Sequence, residues 1–145
     1  MRAYEAASLI GASPQSVWAV LSDLDAWPDW ESGVASVQGR LAPGERVSLT
    51  VDVNPGRAFR VKVAELSEPQ RIVLRGGMPL GLFVGERTYT LESEGPATRF
   101  RMREQYSGPL AGAIFKSIPD LSGSFQQFAD GLKAKAESTQ RPGAR

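Results

Sequence analysis

The sequence predicts an α+β domain: a curved seven-stranded antiparallel sheet around a long C-terminal helix, with two short helices after the first strand. Three observations lead there. A capped helical stretch, Ser13 to Trp30, follows a first strand. The middle of the chain alternates apolar and polar residues in runs joined by turn residues. The last third carries a sustained apolar stripe at helical spacing.

The first strand is Met1 to Ile10, its apolar residues interrupted by Glu5 and Ser8. Ser13 can accept from the free N–H groups of a first helical turn, and Pro14 costs nothing at the first helical position. Val17, Leu21 and Leu24 then share one face beside Trp18 and Val20, and Trp27-Pro-Asp-Trp30 makes a tight aromatic turn. Val47, Leu49, Val51 and Val53 alternate with polar residues, and Asn54-Pro-Gly56 is expected to turn the chain into Phe59, Val61 and Val63. Arg71 to Arg75 is a further short strand, and Gly76-Gly-Met-Pro-Leu-Gly81 reads as a loop by its breakers. Leu82 to Glu92 and Thr98 to Ser107 form a long hairpin across Glu94-Gly-Pro96. Finally Ile114, Ile118, Leu121, Phe125, Phe128 and Leu132 recur at three- and four-residue steps, with Pro119 and Gly123 expected to kink the helix or delay its regular start. A single domain is expected over 1–138, with a flexible tail at 139–145.

Width connects this outline to function. One helix is about 10 Å across, whereas seven strands span roughly 30 Å. The sheet must curl around the helix, and a cavity is expected wherever large side chains do not fill the space between them.

Composition narrows the chemistry. The 145 residues carry a net charge of +1, no cysteine and no histidine. Disulfides, thiolate nucleophiles, zinc hydrolases and Ser-His-Asp machinery are excluded, and no metal or other cofactor is expected. The near-neutral balance recruits no nucleic acid. The alternating Arg99, Arg101 and Arg103 read as a solvated sheet face, because the aromatics of that strand lie on the other side. No run reaches membrane-spanning length and the N-terminus lacks a signal-peptide core, so a soluble cytoplasmic protein is the expectation.

With this order established, the chain resembles the START-like, or SRPBCC, superfamily of helix-grip proteins, which includes polyketide cyclase/dehydrase and lipid-transport proteins and birch-pollen-allergen-like carriers. The residues carrying the likeness are Ala12 to Trp18, Leu21 to Trp30, Gly81 to Tyr89, Thr98-Arg-Phe100 and Glu104 to Gly108. The resemblance implies a ligand cavity between sheet and C-terminal helix, entered near the loops and the tryptophan turn. Many relatives have a histidine where Arg87 stands here, so no histidine chemistry carries over.

Strand parity supplies the candidate site. Arg87 shares a face with Phe83 and Tyr89, and Glu104 shares one with Met102 and Tyr106, so the two charges are expected as diagonal neighbours on the concave face. They form either a polar anchor for a ligand oxygen or a self-satisfied ion pair. Trp27 and Trp30 either stack on a ligand at the cavity mouth or close the core. Phe59, Val61, Leu74, Ile118 and Phe125 complete the expected lining. Three functions compete. The first is binding or carriage of a small, largely apolar molecule. The second is a cyclase- or aromatase-like enzyme in which Arg87 stabilises an enolate and Glu104 or a tyrosine moves the proton. The third is a partner-binding regulatory module, which requires an exposed apolar patch. The oligomeric state, monomer or homodimer, is left open.

Overall fold

In the computed structural model, residues 2–52, 54–117 and 120–139 are described, with Arg2, Asn54, Pro55 and Arg57 described by their backbone only. The predicted positions Val53 and Ile118, and the tail beyond Thr139, lie outside the described residues. Strand β1 (Arg2–Ile10) leads into α1 (Pro14–Leu21), where the Ser13 hydroxyl accepts from the Ser16 N–H at 3.2 Å as the sequence predicts. A 3₁₀ turn, Leu24–Asp29, follows as the second short helix. Six more strands complete a single antiparallel sheet: β2 (Val34–Gln38), β3 (Arg46–Val51), β4 (Asn54–Ser67), β5 (Arg71–Met78), β6 (Phe83–Glu94) and β7 (Ala97–Ser107). Their spatial order is β1-β7-β6-β5-β4-β3-β2. Each strand from β2 to β7 therefore pairs with its sequence neighbour, and β1 closes on β7.

Several boundaries differ from the sequence expectation, each for a local reason. β4 begins at Asn54, opposite Val51, so the chain has already reversed before Asn54-Pro-Gly56, which belongs to the strand. β5 continues through Gly76, Gly77 and Met78, because Gly77 adopts φ 144° and lets the strand stay paired with β6. Only Pro79–Gly81 remains as a connecting 3₁₀ turn. β2 carries no clear alternation, since its register against β3 shifts between Val34 and Ser36.

The expected single C-terminal helix is two. α2 (Ala111–Ser117) precedes α3 (Ser122–Ser138), and the predicted kink position Pro119 lies outside the described residues. α3 buries Phe125, Phe128, Ala129, Leu132 and Ala136, one stripe at three- and four-residue steps. It lies along β1, where the Ser8 hydroxyl donates to the Ala129 carbonyl at 3.1 Å. Gly131 brings the helix against the tryptophan turn: a Cβ there would stand 2.9 and 2.8 Å from the carbonyl oxygens of Trp30 and Glu31. Trp27 packs edge-on against Phe128 at 4.9 Å and against Tyr89 at 6.0 Å, and its Nε1–H donates to the Leu21 carbonyl at 2.9 Å. The sheet is thus gripped around α3 on a packed aromatic centre.

Candidate functional site

Beyond that aromatic centre the concave face turns polar. β6 and β7 are joined through Gly95 and Pro96, with Gly95 at φ 62°, and this two-residue turn sets their register. Arg87 and Glu104 therefore stand directly opposite each other, one step closer than the diagonal expected from sequence. Arg87 Nε donates to Glu104 Oε2 at 2.7 Å, and the Tyr106 hydroxyl donates to Glu104 Oε1 at 2.8 Å. The guanidinium also lies 4.7 Å from the centre of the Phe125 ring, a cation–π contact supplied by α3.

The cluster is only partly satisfied. A guanidinium has five N–H donors, and among the described residues only Nε of Arg87 makes a well-formed hydrogen bond. The Tyr89 hydroxyl is fully buried beside the Arg87 guanidinium, without a hydrogen bond of good geometry. Arg87 and Glu104 keep 20% and 16% of their side chains exposed, so solvent reaches the pair. Gly85 and Gly76 lie side by side on β6 and β5 in the neighbouring row of the same face. A Cβ on Gly85 would come into van der Waals contact with the Tyr106 ring at 3.6 Å and Glu104 Oε1 at 3.7 Å, so the glycine leaves about one methyl of space beside the carboxylate.

Electrostatics follow from this burial. Desolvation works against the charge on Arg87, but the Glu104 carboxylate and the neighbouring Tyr89 outweigh it and hold the guanidinium above its ordinary pKa. Burial pushes the Tyr89 hydroxyl up, with Arg87 pulling partly against it. Burial and then Glu104 push Tyr106 up as well. Both phenols are therefore proton donors at neutral pH, not bases. The unfolded chain ionises these tyrosines first, near pH 10.0. Their contribution to stability is fully present below that pH and is lost as pH rises toward the folded-state values. Denaturant unfolding should show stability falling above about pH 10, and Tyr89→Phe should lessen the fall. An unchanged slope in the variant would contradict this.

The remaining predicted residues divide between site and core. Leu74 is buried opposite Arg87, Phe83 stacks on Tyr106 at 5.7 Å, and Met102 is buried opposite Tyr89. Val61 is half-buried beside Gly76, while Phe59 is exposed at the open end of β4. Trp27 and Trp30 are buried against Phe128, in the core instead of at a mouth. Two site neighbours escape the sequence reading. Tyr4 pairs with Glu104 across β1 and β7, and Phe115 of α2 stacks on Tyr4 at 5.1 Å and approaches Tyr106 at 5.6 Å. Tyr4 shares parity with Ile10 on β1, which is the signal available in sequence. Phe115 falls off the helical stripe that runs through Ile114, because α2 is a separate helix.

Two hollows lie elsewhere. One of about 290 Å³ opens between α1, the tryptophan turn and the end of α3, lined in part by Val20, Trp30 and Lys135. The other, about 400 Å³, is on the outer sheet face among Arg71, Arg101 and Arg103. Among the described residues no cluster of acidic groups is arranged to hold a metal ion, and no helix is long and apolar enough to cross a membrane.

Comparison with known proteins agrees with the architecture. Residues 1–137 match the family model for polyketide cyclase / dehydrase and lipid transport. None of the curated proteins matches the chain. Among solved structures, the ZhuI aromatase/cyclase from Streptomyces sp. R1128 superposes with a TM-score of 0.75 at 16% identity, covering 97% of this chain and 96% of that one. A START superfamily protein from Mycobacterium smegmatis gives 0.69 at 18% identity, covering 94% and 98%. A hypothetical protein, jhp0584, from Helicobacter pylori gives 0.73 at 20% identity, covering 93% and 88%. At these identities the likeness is one of fold.

Proposed function

Given that the chain belongs to the polyketide cyclase / dehydrase and lipid transport family, we propose that it binds and carries a small, largely apolar molecule bearing a carboxylate, enolate or carbonyl oxygen. The ligand lies between the concave face and helices α2 and α3, its oxygen beside Arg87. The observation that carries this reading is the polar cluster on the concave face: an arginine with more donors than its one carboxylate partner uses, beside a buried tyrosine hydroxyl. Buried polar groups ordinarily find partners, so a guanidinium with spare donors among apolar side chains suits a ligand oxygen. Phe83, Phe115, Phe125 and Leu74 supply apolar surface around it.

The second reading, a cyclase- or aromatase-like enzyme, draws on the same Arg87, which could stabilise an enolate. It is the weaker of the two because, among the described residues of the cluster, the Glu104 carboxylate is already engaged by Arg87 and Tyr106. Both Glu104 oxygens already accept hydrogen bonds, and both phenols are held protonated. Native mass spectrometry of protein purified from its own cell should show an adduct of stoichiometric mass that organic extraction removes. The purified protein should also enhance the fluorescence of anilinonaphthalene sulfonate, an apolar probe with an anionic group. Bare polypeptide mass together with no response to the probe would sink the proposal. Turnover of a poly-carbonyl chain would instead favour the enzyme.

A further inference from the structure

The outer face of the sheet carries a hollow on the far side of β6 and β7 from the Arg87 cluster. Along β6, Arg87, Tyr89 and Leu91 point inward, so Thr88 and Thr90 point out, and the same alternation on β7 turns Arg101 and Arg103 out. Strand pairing sets two rows across this face. Arg71 of β5, Thr90 and Arg101 stand in one, and Thr88, Arg103 and Glu5 of β1 stand in the next. Two short threonines between long side chains dent the surface, and the hollow over them measures about 400 Å³.

Charge inside the hollow is unbalanced. Its walls hold three arginines against one carboxylate, Glu5. Glu5 reaches Arg103 at 3.6 Å, and Arg71 Nε lies 3.3 Å from Glu65 on β4, outside the lining. Arg101 makes no ion pair among the described residues. The acids of the flanking rows are directed elsewhere: Glu86 accepts from Arg75, Glu94 accepts from Arg99, and Glu92 pairs with Arg99 across the strands. Arg101 and Arg103 are successive outward residues, about 7 Å apart along the strand. Arg71 faces Arg101 across Thr90. Cations set this close repel one another, and an anion seated between them relieves the repulsion.

We propose that this hollow binds the phosphate or diphosphate group of a small molecule, with Arg71, Arg101 and Arg103 donating from its walls and the Thr88 and Thr90 hydroxyls from its floor. A carboxylate presents two oxygens in one plane and is filled by a single guanidinium fork. A phosphoryl group presents three or more in different directions, and several forks can engage it together. The hollow is larger than a phosphate group, which leaves space for part of the body that carries it. Glu5, Glu65, Glu86, Glu92 and Glu94 border the arginines on every side, so a long polyanion laid across this face would meet carboxylates, whereas a discrete anion need not. The site uses no residue of the concave face and is read without cargo, so it stands or falls separately from the carrier proposal.

The test is isothermal titration calorimetry of the full chain with inorganic pyrophosphate at constant ionic strength. Saturable binding of one pyrophosphate per chain is expected. Arg101→Gln should weaken it at least about tenfold, the equivalent of one charge-assisted hydrogen bond. Thr90→Val, which keeps the branched shape and removes the hydroxyl, should weaken it several-fold and provides a second variant. Circular dichroism and the unfolding midpoint should stay unchanged in both, because neither side chain enters the core. Arg60→Gln, an exposed arginine on β4 outside the hollow, should bind as the unaltered protein does. Absence of saturable binding would overturn the proposal, as would equal losses in Arg101→Gln and Arg60→Gln, the mark of diffuse surface charge. So would tighter binding of an oligothymidylate than of pyrophosphate, since a nucleic-acid backbone would then be the occupant.

Discussion

Replacing Arg87 with methionine is expected to lower retention of an anionic apolar probe at least about tenfold, the equivalent of one charge-assisted hydrogen bond. Methionine keeps the length and can still lie against Phe125, so packing changes little. The stability effect comes from Glu104. With Arg87 gone, its carboxylate keeps only the Tyr106 hydroxyl among the described residues and stays largely buried. Breaking a buried ion pair costs about 3–5 kcal/mol, and the residual exposure of this one brings the expectation to about 2–3 kcal/mol. The double variant Arg87→Met/Glu104→Gln should recover most of that stability but none of the probe binding. Denaturant unfolding and fluorescence titration on the three proteins separate the two roles. If the double variant bound the probe as well as the unaltered protein, Arg87 would be a purely structural partner.

Trp27→Ala should produce the largest loss of stability, about 3–5 kcal/mol. Trp27 is 1% exposed and touches Trp30, Tyr89 and Phe128, so its removal opens a void at the junction of sheet, turn and α3. It also leaves the Leu21 carbonyl without the indole donor. For a chain of this size the unfolding midpoint should fall by roughly 10–15 °C. Differential scanning calorimetry checks it. A fall of only a few degrees would mean that the tryptophan turn is peripheral to the core.

The tryptophan turn also shows where sequence reading succeeds and where it stops. Ser13, Pro14 and the apolar spacing through Leu24 define α1 locally, because a cap and a helical stripe depend on neighbours in sequence. Alternation on β6 and β7 was enough to put Arg87 and Glu104 on one face. Their direct opposition depended on the two-residue Gly95-Pro96 turn, a detail finer than alternation resolves. Tyr4 and Phe115 could not be placed, since both reach the site through contacts between distant segments: β1 with β7, and α2 with β1. The burial of the tryptophans is likewise a tertiary outcome, fixed by Phe128 and by the close approach at Gly131. An aromatic pair beside a proline turn gives no local sign of whether it faces solvent or a helix a hundred residues away.

The division of the C-terminal segment into α2 and α3 has a consequence for how the interior can breathe. α3 is locked: it buries five residues, bonds to β1 through Ser8, and is held against backbone carbonyls at Gly131, where sliding by even a fraction of an ångström meets hard contact. α2 buries only Ala111, and it is α2 that lays Phe115 over Tyr4 and Tyr106. In the language of cooperative opening units, α3 belongs to the globally stable foldon and α2 to one of lower opening free energy. The polar cluster is thus roofed by an element that is much less anchored than α3, and its displacement would uncover the cluster without loosening the core.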